Sequence, residues 1–231
     1  MRKPRRQRST LFLILFLASW PATAERVPAL FGDGSNERHF RTLLGFPEVS
    51  GDVSLVMLCF SQIEDSGKMT ETGCLIRNNA EKLFFDAIDK AAKKAQLVPA
   101  RIDGRARKIY LQFRVEFIKE GDSRRINMYA NPGDAENIEA YGEDHVAAQR
   151  VIGKEAWMKV CPSNAQYGVT ARAHVSVEGI ASSTSLAHGY GIVPTGPCQQ
   201  AIIEAIETSA YAPAMVDGEA VPSAYVEPFS N

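Results

Sequence analysis

The stretch PARIDG at residues 99–104 returns as PAMVDG at residues 213–218, which is 114 residues later. A proline disfavours the helical conformation of the residue before it, so each stretch is expected to end the helix that precedes it. Alanine is small enough to pass close to a helix, and Asp-Gly favours a tight turn. Each stretch therefore predicts a joint between a helix and a strand. Its double occurrence predicts that the chain contains the same unit twice.

A helix is predicted before each joint. Apolar residues recur at steps of three and four over residues 80–95, which places them on one helical face, and Asn78 or Asn79 can cap its start. A second helix is predicted over residues 198–209, again with a periodic apolar face. The two faces consist of Leu83, Phe84, Ala87, Ile88, Ala91 and Ala95 in the first helix, and Ala201, Ile202, Ala205 and Ile206 in the second.

Each predicted helix follows a predicted hairpin and precedes a predicted strand. Residues 53–60 and 169–177 are of strand type, and each run is followed by a glycine turn, at Gly67 or Gly179, and a second short run. Strands are also expected after the joints, at residues 108–117 and 221–229. The predicted fold class is α+β: a tandem repeat of a small β-β-α-β unit, each with an antiparallel sheet and one packed helix.

At this level the sequence resembles the C-terminal domain of TonB energy transducers. That family has a hairpin with a glycine turn, a helix, an apolar or aromatic residue before Pro-Ala, a glycine four residues after that alanine, and a last strand that ends in Phe. The resemblance covers about 70 residues of each half. The residues that carry the joint are Pro99, Ala100, Gly104, Pro213, Ala214 and Gly218, and the last strands end at Phe117 and Phe229.

The first 24 residues have the pattern of a secretory signal. Five basic residues precede an apolar run at residues 11–17, and Trp20-Pro21 leads to the small residues Ala22-Thr23-Ala24. We expect cleavage after Ala24 and export to the periplasm; an uncleaved anchor would need about 20 apolar residues. The predicted organisation is a signal peptide at 1–24, a first repeat at 25–118, a connecting segment at 119–150 and a second repeat at 151–231.

The charge of the processed chain argues against nucleic acid as a partner. Without residues 1–24 it has 21 Lys and Arg against 27 Asp and Glu, a net charge of −6. The charge is uneven, because residues 25–120 carry +1 and residues 121–231 carry −7. The two halves are therefore expected to face different surroundings.

Four cysteines form an even set in a chain predicted to be exported, and none lies in a C-x-x-C pair. Structural disulfides are the expected use. Three pairings are possible from the sequence, and two cysteines fall in each half. Pairing within halves, Cys59 with Cys74 and Cys161 with Cys198, is therefore favoured, and a turn near residues 65–67 would place the first pair opposite one another.

The resemblance implies a function in protein interaction, since the last strand of the family is implicated in pairing with an extended segment of an outer-membrane receptor. Pro222 and Pro228 would remove backbone donors from the second copy of this strand, whereas residues 109–117 contain no proline. The predicted binding edge is therefore in the first repeat, unless these residues belong to the core of a strand that is already covered. Its residues are Tyr110, Leu111, Phe113, Val115 and Phe117.

The expected partners are envelope proteins, with outer-membrane receptors first among them, and an exposed edge would also allow self-association. The chain lacks the inner-membrane anchor after cleavage and the Pro-rich span that a transducer needs, so its expected role in TonB-dependent transport is accessory. The alternative is a structural envelope module with no role in transport.

No residue pattern predicts catalysis, a metal site or a cofactor. The four histidines, His39, His145, His174 and His188, lack metal-ligand spacing, although the last two are candidates to meet across the second hairpin. The expectation is a protein that is not an enzyme. An exported hydrolase or metal-dependent enzyme is the competing class.

Overall fold

The computed structural model describes residues 25–32, 37–153, 155–164 and 166–230. The predicted signal peptide lies outside the described residues. Within these ranges the helices are α1 (Phe40–Leu43), α2 (Lys82–Ala92), α3 (Ala135–Tyr141), α4 (Trp157–Val160) and α5 (Gly196–Glu207), and a 3₁₀ turn (Asn79–Glu81) leads into α2.

The strands lie in the two halves of the chain. Those up to residue 129 are β1 (Arg26–Val27), β2 (Val53–Ile63), β3 (Met69–Cys74), β4 (Arg101–Ile102), β5 (Arg105–Ala106), β6 (Ile109–Glu120) and β7 (Ser123–Tyr129). The later strands are β8 (Gln149–Val151), β9 (Tyr167–Val175), β10 (Ala181–Gly191), β11 (Tyr211–Ala212), β12 (Ala214–Val216), β13 (Glu219–Val221) and β14 (Ser223–Ser230).

Two larger sheets carry the fold, and their strand pairs are antiparallel. The first has the order β11-β8-β6-β2-β3, with β7 also on β6, and the second has the order β10-β9-β14. Two small sheets, β1-β4-β5 and β12-β13, complete the structure. The predicted α+β class is confirmed.

The two halves follow the same order of elements. A hairpin (β2-β3 or β9-β10), a helix (α2 or α5), a short hairpin (β4-β5 or β12-β13) and a long strand (β6 or β14) succeed one another. Both Asp-Gly pairs turn the short hairpins with positive φ, 55° and 73° at Asp103-Gly104 and 51° and 87° at Asp217-Gly218. Such angles suit Asp-Gly in a two-residue hairpin turn. That the halves are copies of one family domain stays a prediction.

The Pro-Ala joint packs in the same way in both halves. Ala100 and Ala214 are fully buried. The backbone N–H of Leu97 donates to the carbonyl of Gly67 at 2.9 Å, and that of Tyr211 donates to the carbonyl of Gly179 at 3.2 Å. In both halves, the chain that follows the helix is therefore hydrogen-bonded to the glycine turn of the preceding hairpin.

Each half has its own hydrophobic core beneath its helix. The core of the first half contains α2 residues from a narrower face than the periodicity predicted: Phe84, Ile88, Ala91 and Ala92 are buried, whereas Leu83 is 55% exposed. The helix begins two residues later than expected, and Leu83 falls at the margin of its apolar stripe. Asn78 caps the entry by accepting from the N–H groups of Ala80 and Glu81 at 3.0 and 3.3 Å.

The helix α5 supplies the core of the second half. Ile202 and Ile206 are fully buried, as predicted, together with Cys198. Ala201 and Ala205 lie at the edge of the face and are only partly buried.

The connecting segment differs most from its prediction. It was expected only to connect the repeats, but it forms helix α3 at Ala135–Tyr141 and strand β8 at Gln149–Val151. The predicted boundary at residue 118 falls inside β6, which continues to Glu120 and turns through Gly121 into β7. Both β7 and β8 pair with β6, so the segment extends the first sheet.

The predicted disulfides, Cys59–Cys74 and Cys161–Cys198, are confirmed. Cys59 and Cys74 are register partners in β2 and β3, whereas the second bond joins the end of α4 to the first turn of α5. No cysteine in the described part of the chain is free. Two disulfides indicate an extracytoplasmic protein. None of the helices in the described ranges has the length and apolar character needed to cross a membrane.

Candidate functional site

The predicted binding edge, β6, is an interior strand. On one side it pairs with β2 along residues 109–119, and on the other it pairs with β8 at residues 109–110 and with β7 at residues 114–120. Only three residues remain between β8 and β7, which is too short a stretch for an added strand. The prediction of a free edge is therefore wrong, because the connecting segment folds back as a strand and covers it.

Four of the five predicted contact residues belong to the first core. Leu111, Phe113, Val115 and Phe117 are at most 1% exposed. Phe117 packs against Phe84 of α2 with ring centroids 4.9 Å apart. The alternative interpretation, a core strand that is already covered, is correct for these four. Tyr110 alone turns to the other face of the sheet, where its ring stacks on Phe60 at 5.8 Å.

The equivalent strand of the second half, β14, does lie at the edge of its sheet, and side chains close that edge. The buried amide of Asn137 accepts from the N–H of Ala224 at 3.0 Å and donates to its carbonyl at 2.8 Å. Gln112 donates to the carbonyl of Val226. Pro228 has no N–H to offer. The prediction that proline removes hydrogen-bond donors from this edge is consistent with the structure. The amide side chains of Asn137 and Gln112 also occupy backbone groups there.

The opposite edge of the second sheet, β10, is open. Within the described residues, β10 pairs with β9 alone. The N–H of Ile192 donates to the carbonyl of Gln166, so even-numbered residues at this end of β9 bond towards β10. Alternate residues of an antiparallel strand point their backbone groups the other way. Leu186 and His188, which pair with Ala171 and Val169, therefore present their N–H and C=O groups outwards.

A cleft of about 770 Å³ lies between the outer face of the first sheet and the second half. Its walls include Leu58, Phe60 and Tyr110 on one side and Trp157, Tyr190 and Pro228 on the other. Its volume is in the range of pockets that hold small molecules. Four exposed apolar side chains line it: Leu58, Leu75, Met158 and Tyr190 are 40%, 63%, 64% and 55% exposed.

At two glycines beside the cleft, an aromatic ring from the neighbouring strand lies against the backbone of the sheet. Phe60 is the register partner of Gly73, and Tyr190 is the register partner of Gly168. A Cβ atom at Gly73 would lie 2.5 Å from the Phe60 ring, and one at Gly168 would overlap the Tyr190 ring. Each ring therefore occupies the space of the missing side chain, and both rings line the cleft.

The floor of the cleft is a buried ionic network. Arg150 on β8 binds Glu227 on β14 through two hydrogen bonds, at 2.7 and 2.8 Å, and binds Glu155 at 3.0 Å. Glu155 also accepts from the indole N–H of Trp157 at 2.7 Å, and Tyr225 donates to Glu227. Arg150 and Glu227 have side chains 4% and 5% exposed. The network joins the strand that extends the first sheet to the core of the second half.

Burial and charge set the protonation of this network. Burial would by itself lower the pKa of Arg150, but the charge and hydrogen bonds of Glu227 outweigh it, so the pKa is raised. Burial, followed by the charge of Glu227, raises the pKa of Tyr225 and of Tyr110, while burial is the main cause of the raised pKa of Tyr211. The guanidinium is therefore charged, and all three phenols are neutral, at any ordinary pH.

The histidines do not come together. His39 and His145 are buried and contact the backbone carbonyls of Gly32 and Gly142. His174 pairs with Ser182 and His188 pairs with Val169, so they are not neighbours across the second hairpin. The described residues contain no group of three or more His, Cys, Asp and Glu side chains placed to hold a metal ion.

Sequence reasoning missed the cleft. Arg150 lies in a segment that was predicted as a connection, and Trp157 lies in a four-residue helix with no periodicity. One signal was available: Glu227 alternates with Tyr225 and Phe229 on the buried face of a predicted strand. A carboxylate in that position indicates a buried cation partner.

Comparison with models of protein families, with curated proteins and with solved structures finds no match to this chain. The resemblance to the TonB C-terminal domain therefore rests on the sequence pattern of the two halves and stays a prediction.

Proposed function

We propose that this protein is an exported protein-interaction module of the bacterial envelope that binds an extended polypeptide by strand addition, in a role accessory to TonB-dependent transport. The receiving edge is β10 in the second half, in place of the β6 edge that the sequence favoured. The observation that carries the proposal is the open outer edge of β10, an eleven-residue strand that pairs with one strand in the described part of the chain.

The composition of β10 supports this use of the edge. Natural proteins protect exposed edges with lysine, proline, inward-pointing charges, β-bulges or short strands. The sequence ASSTSLAHGYG at residues 181–191 has neither lysine nor proline and no carboxylate. Its register is irregular after Ser182 and after His188, but the four residues between, 185–188, pair regularly with β9. These residues give an incoming strand a regular set of donors and acceptors.

The neighbouring β14 edge supplies an internal contrast. It belongs to an eight-residue strand, and Asn137, Gln112 and Pro228 occupy or remove hydrogen-bonding groups along it. An edge protected on one side of a sheet and unprotected on the other is what selective strand addition requires.

The test uses the exported, processed protein with intact disulfides as bait for a detergent-solubilised envelope fraction. His188→Pro removes one outward N–H from β10, and His188→Ala removes the same side chain but keeps that N–H. The expected result is that outer-membrane receptors or transducer components are retained by the natural protein and by His188→Ala, and lost with His188→Pro. Circular dichroism must show both variants folded.

Equal retention by the two variants would exclude strand addition at β10. If proteins are retained only when the N–H of residue 188 is present, but none of them is a transport component, strand addition would stand. The accessory role in transport would then be rejected.

A further inference from the structure

We propose that the cleft between the two halves is a binding site for a cationic amphiphile, a small molecule with an apolar body and one ammonium group. This inference does not rest on strand addition, because it concerns side chains in the cleft and leaves the outer edge of β10 unused.

The apolar walls define the body of the ligand. A solvent-exposed cleft of this size surrounded by leucine, methionine and aromatic side chains is uncommon on a free protein surface and indicates a binding site. The exposed side chains Leu58 and Leu75 come from the first half, and Met158 and Tyr190 from the second. A ligand there would cover apolar surface of both halves at once.

The charge of the lining defines the head group. Four carboxylates line the cleft, from Glu71, Asp134, Glu155 and Glu227, against the single guanidinium of Arg150. Glu155 and Glu227 both bind Arg150, so the network at the floor retains one negative charge in excess. Glu71 contributes a further charge: its carboxylate accepts a hydrogen bond from Gln62 and forms no ion pair with the described residues. An anionic ligand would therefore be repelled.

The aromatic rings of the cleft favour an ammonium group as the cationic head group of the ligand. Phe60, Tyr110, Trp157 and Tyr190 line the same cleft as the carboxylates. Aromatic faces attract alkylammonium groups, most strongly where water is excluded. Gly73 and Gly168 hold two of these rings flat on the sheets and keep them out of the cleft volume. Aromatic faces, an excess of negative charge and apolar walls together match a cationic amphiphile.

Three probes with the same eight-carbon chain separate these contributions: octyltrimethylammonium, octyl glucoside and octyl sulfate. Each is titrated into the exported protein by isothermal calorimetry below its micelle concentration. We expect the cation to bind at least about tenfold more tightly than the glucoside, and the sulfate to bind most weakly. Equal affinity for the cation and the glucoside, or no binding of the cation, would overturn the proposal.

Variants locate the site. Tyr190→Ala should weaken binding of the cation by about two- to thirty-fold, the range of a cation–π contact, and Glu71→Gln should weaken it by a smaller factor that falls with added salt. Val56→Ala is the matched control, because Val56 is 41% exposed on the same strand as Leu58 but does not line the cleft. It should change affinity less than twofold. An effect of Val56→Ala equal to that of Tyr190→Ala would place binding elsewhere and overturn the proposal.

A basic, leucine-rich peptide is the last probe. If it binds the cleft while octyltrimethylammonium does not, the site belongs to polypeptides and the proposal of a small ligand is wrong.

Discussion

The long strands that follow the short hairpins, β6 and β14, hold the same place in the order of elements but different places in their sheets. β6 has neighbours on both sides, whereas β14 pairs with β9 alone among the described strands. After β6 the chain turns at Gly121 and returns as β7; β14 is followed by no further described strand. The comparison teaches that the order of elements in a unit does not decide which of its edges is free. The neighbouring segment decides it.

The halves also differ in how they accommodate a buried arginine. Arg114 in the first half lies over the Tyr129 ring at 4.0 Å, and its carboxylate partners Glu116 and Glu143 reach solvent. Arg150 is paired with Glu227, whose carboxylate is buried. Replacing each arginine should therefore lower the free energy of unfolding by a different amount.

The largest effect is expected from Arg150→Met. It leaves Glu227 buried without its cation and should lower the free energy of unfolding by about 4 kcal/mol. Arg114→Met should cost less, because water can solvate the carboxylates it leaves. Urea unfolding of both variants measures the difference, and the double variant Arg150→Met with Glu227→Leu should recover part of the loss. Equal costs for the two arginines would remove this contrast between the halves.

The two disulfides should rank by the length of the loop that each closes. The sequence separation is 15 residues for Cys59–Cys74 and 37 residues for Cys161–Cys198. Loop-closure entropy predicts that removing the first pair by double alanine substitution costs about 3 kcal/mol and removing the second about 4 kcal/mol. Chemical denaturation of the two double variants provides the comparison. A reversed order would mean that contacts in the native halves outweigh chain entropy.

A smaller effect is expected from opening the β14 edge. Asn137→Ala leaves the buried N–H and C=O of Ala224 without partners, which should cost about 2 kcal/mol. Asn137→Asp keeps the acceptor for the N–H but places a second oxygen against the carbonyl of Ala224 in a buried site, so it should not recover the loss. If the amide also protects the edge, sedimentation velocity should show more self-association of Asn137→Ala than of the natural protein. A folded, monomeric Asn137→Ala variant would show that Pro228 and Gln112 suffice.

The smallest effect on stability comes from ionisation of the tyrosines in and beside the second core. It is expected only in alkaline solution. The first core is built around phenylalanines, whereas Tyr211 and Tyr225 lie in the second core and Tyr110 lies beside it. Burial raises the pKa of these phenols above the unfolded value of about 10. Their contribution is therefore complete below pH 10 and is lost as the pH rises above it.

Hydrogen exchange between pH 9 and 11, corrected for the intrinsic rate, should detect the loss of protection in β9 and β14 before β2 and β6. Tyr225→Phe should weaken this dependence on pH. Simultaneous loss of protection in both sheets would show that the two cores unfold as one unit.

The local structure of this protein follows from short stretches of its sequence. Pro-Ala and Asp-Gly specify the two helix-to-strand joints through proline sterics and turn conformation, the 3.6-residue period predicts α2 and α5, and the distribution of cysteines between the halves favours the two disulfides that form. These features depend on residues close together in the chain. The free edges and the cleft between the halves arise from long-range packing, because they depend on where β7, β8 and Asn137 lie. The pairing of Arg150 with Glu227, 77 residues further along, likewise exists only once the halves are in contact.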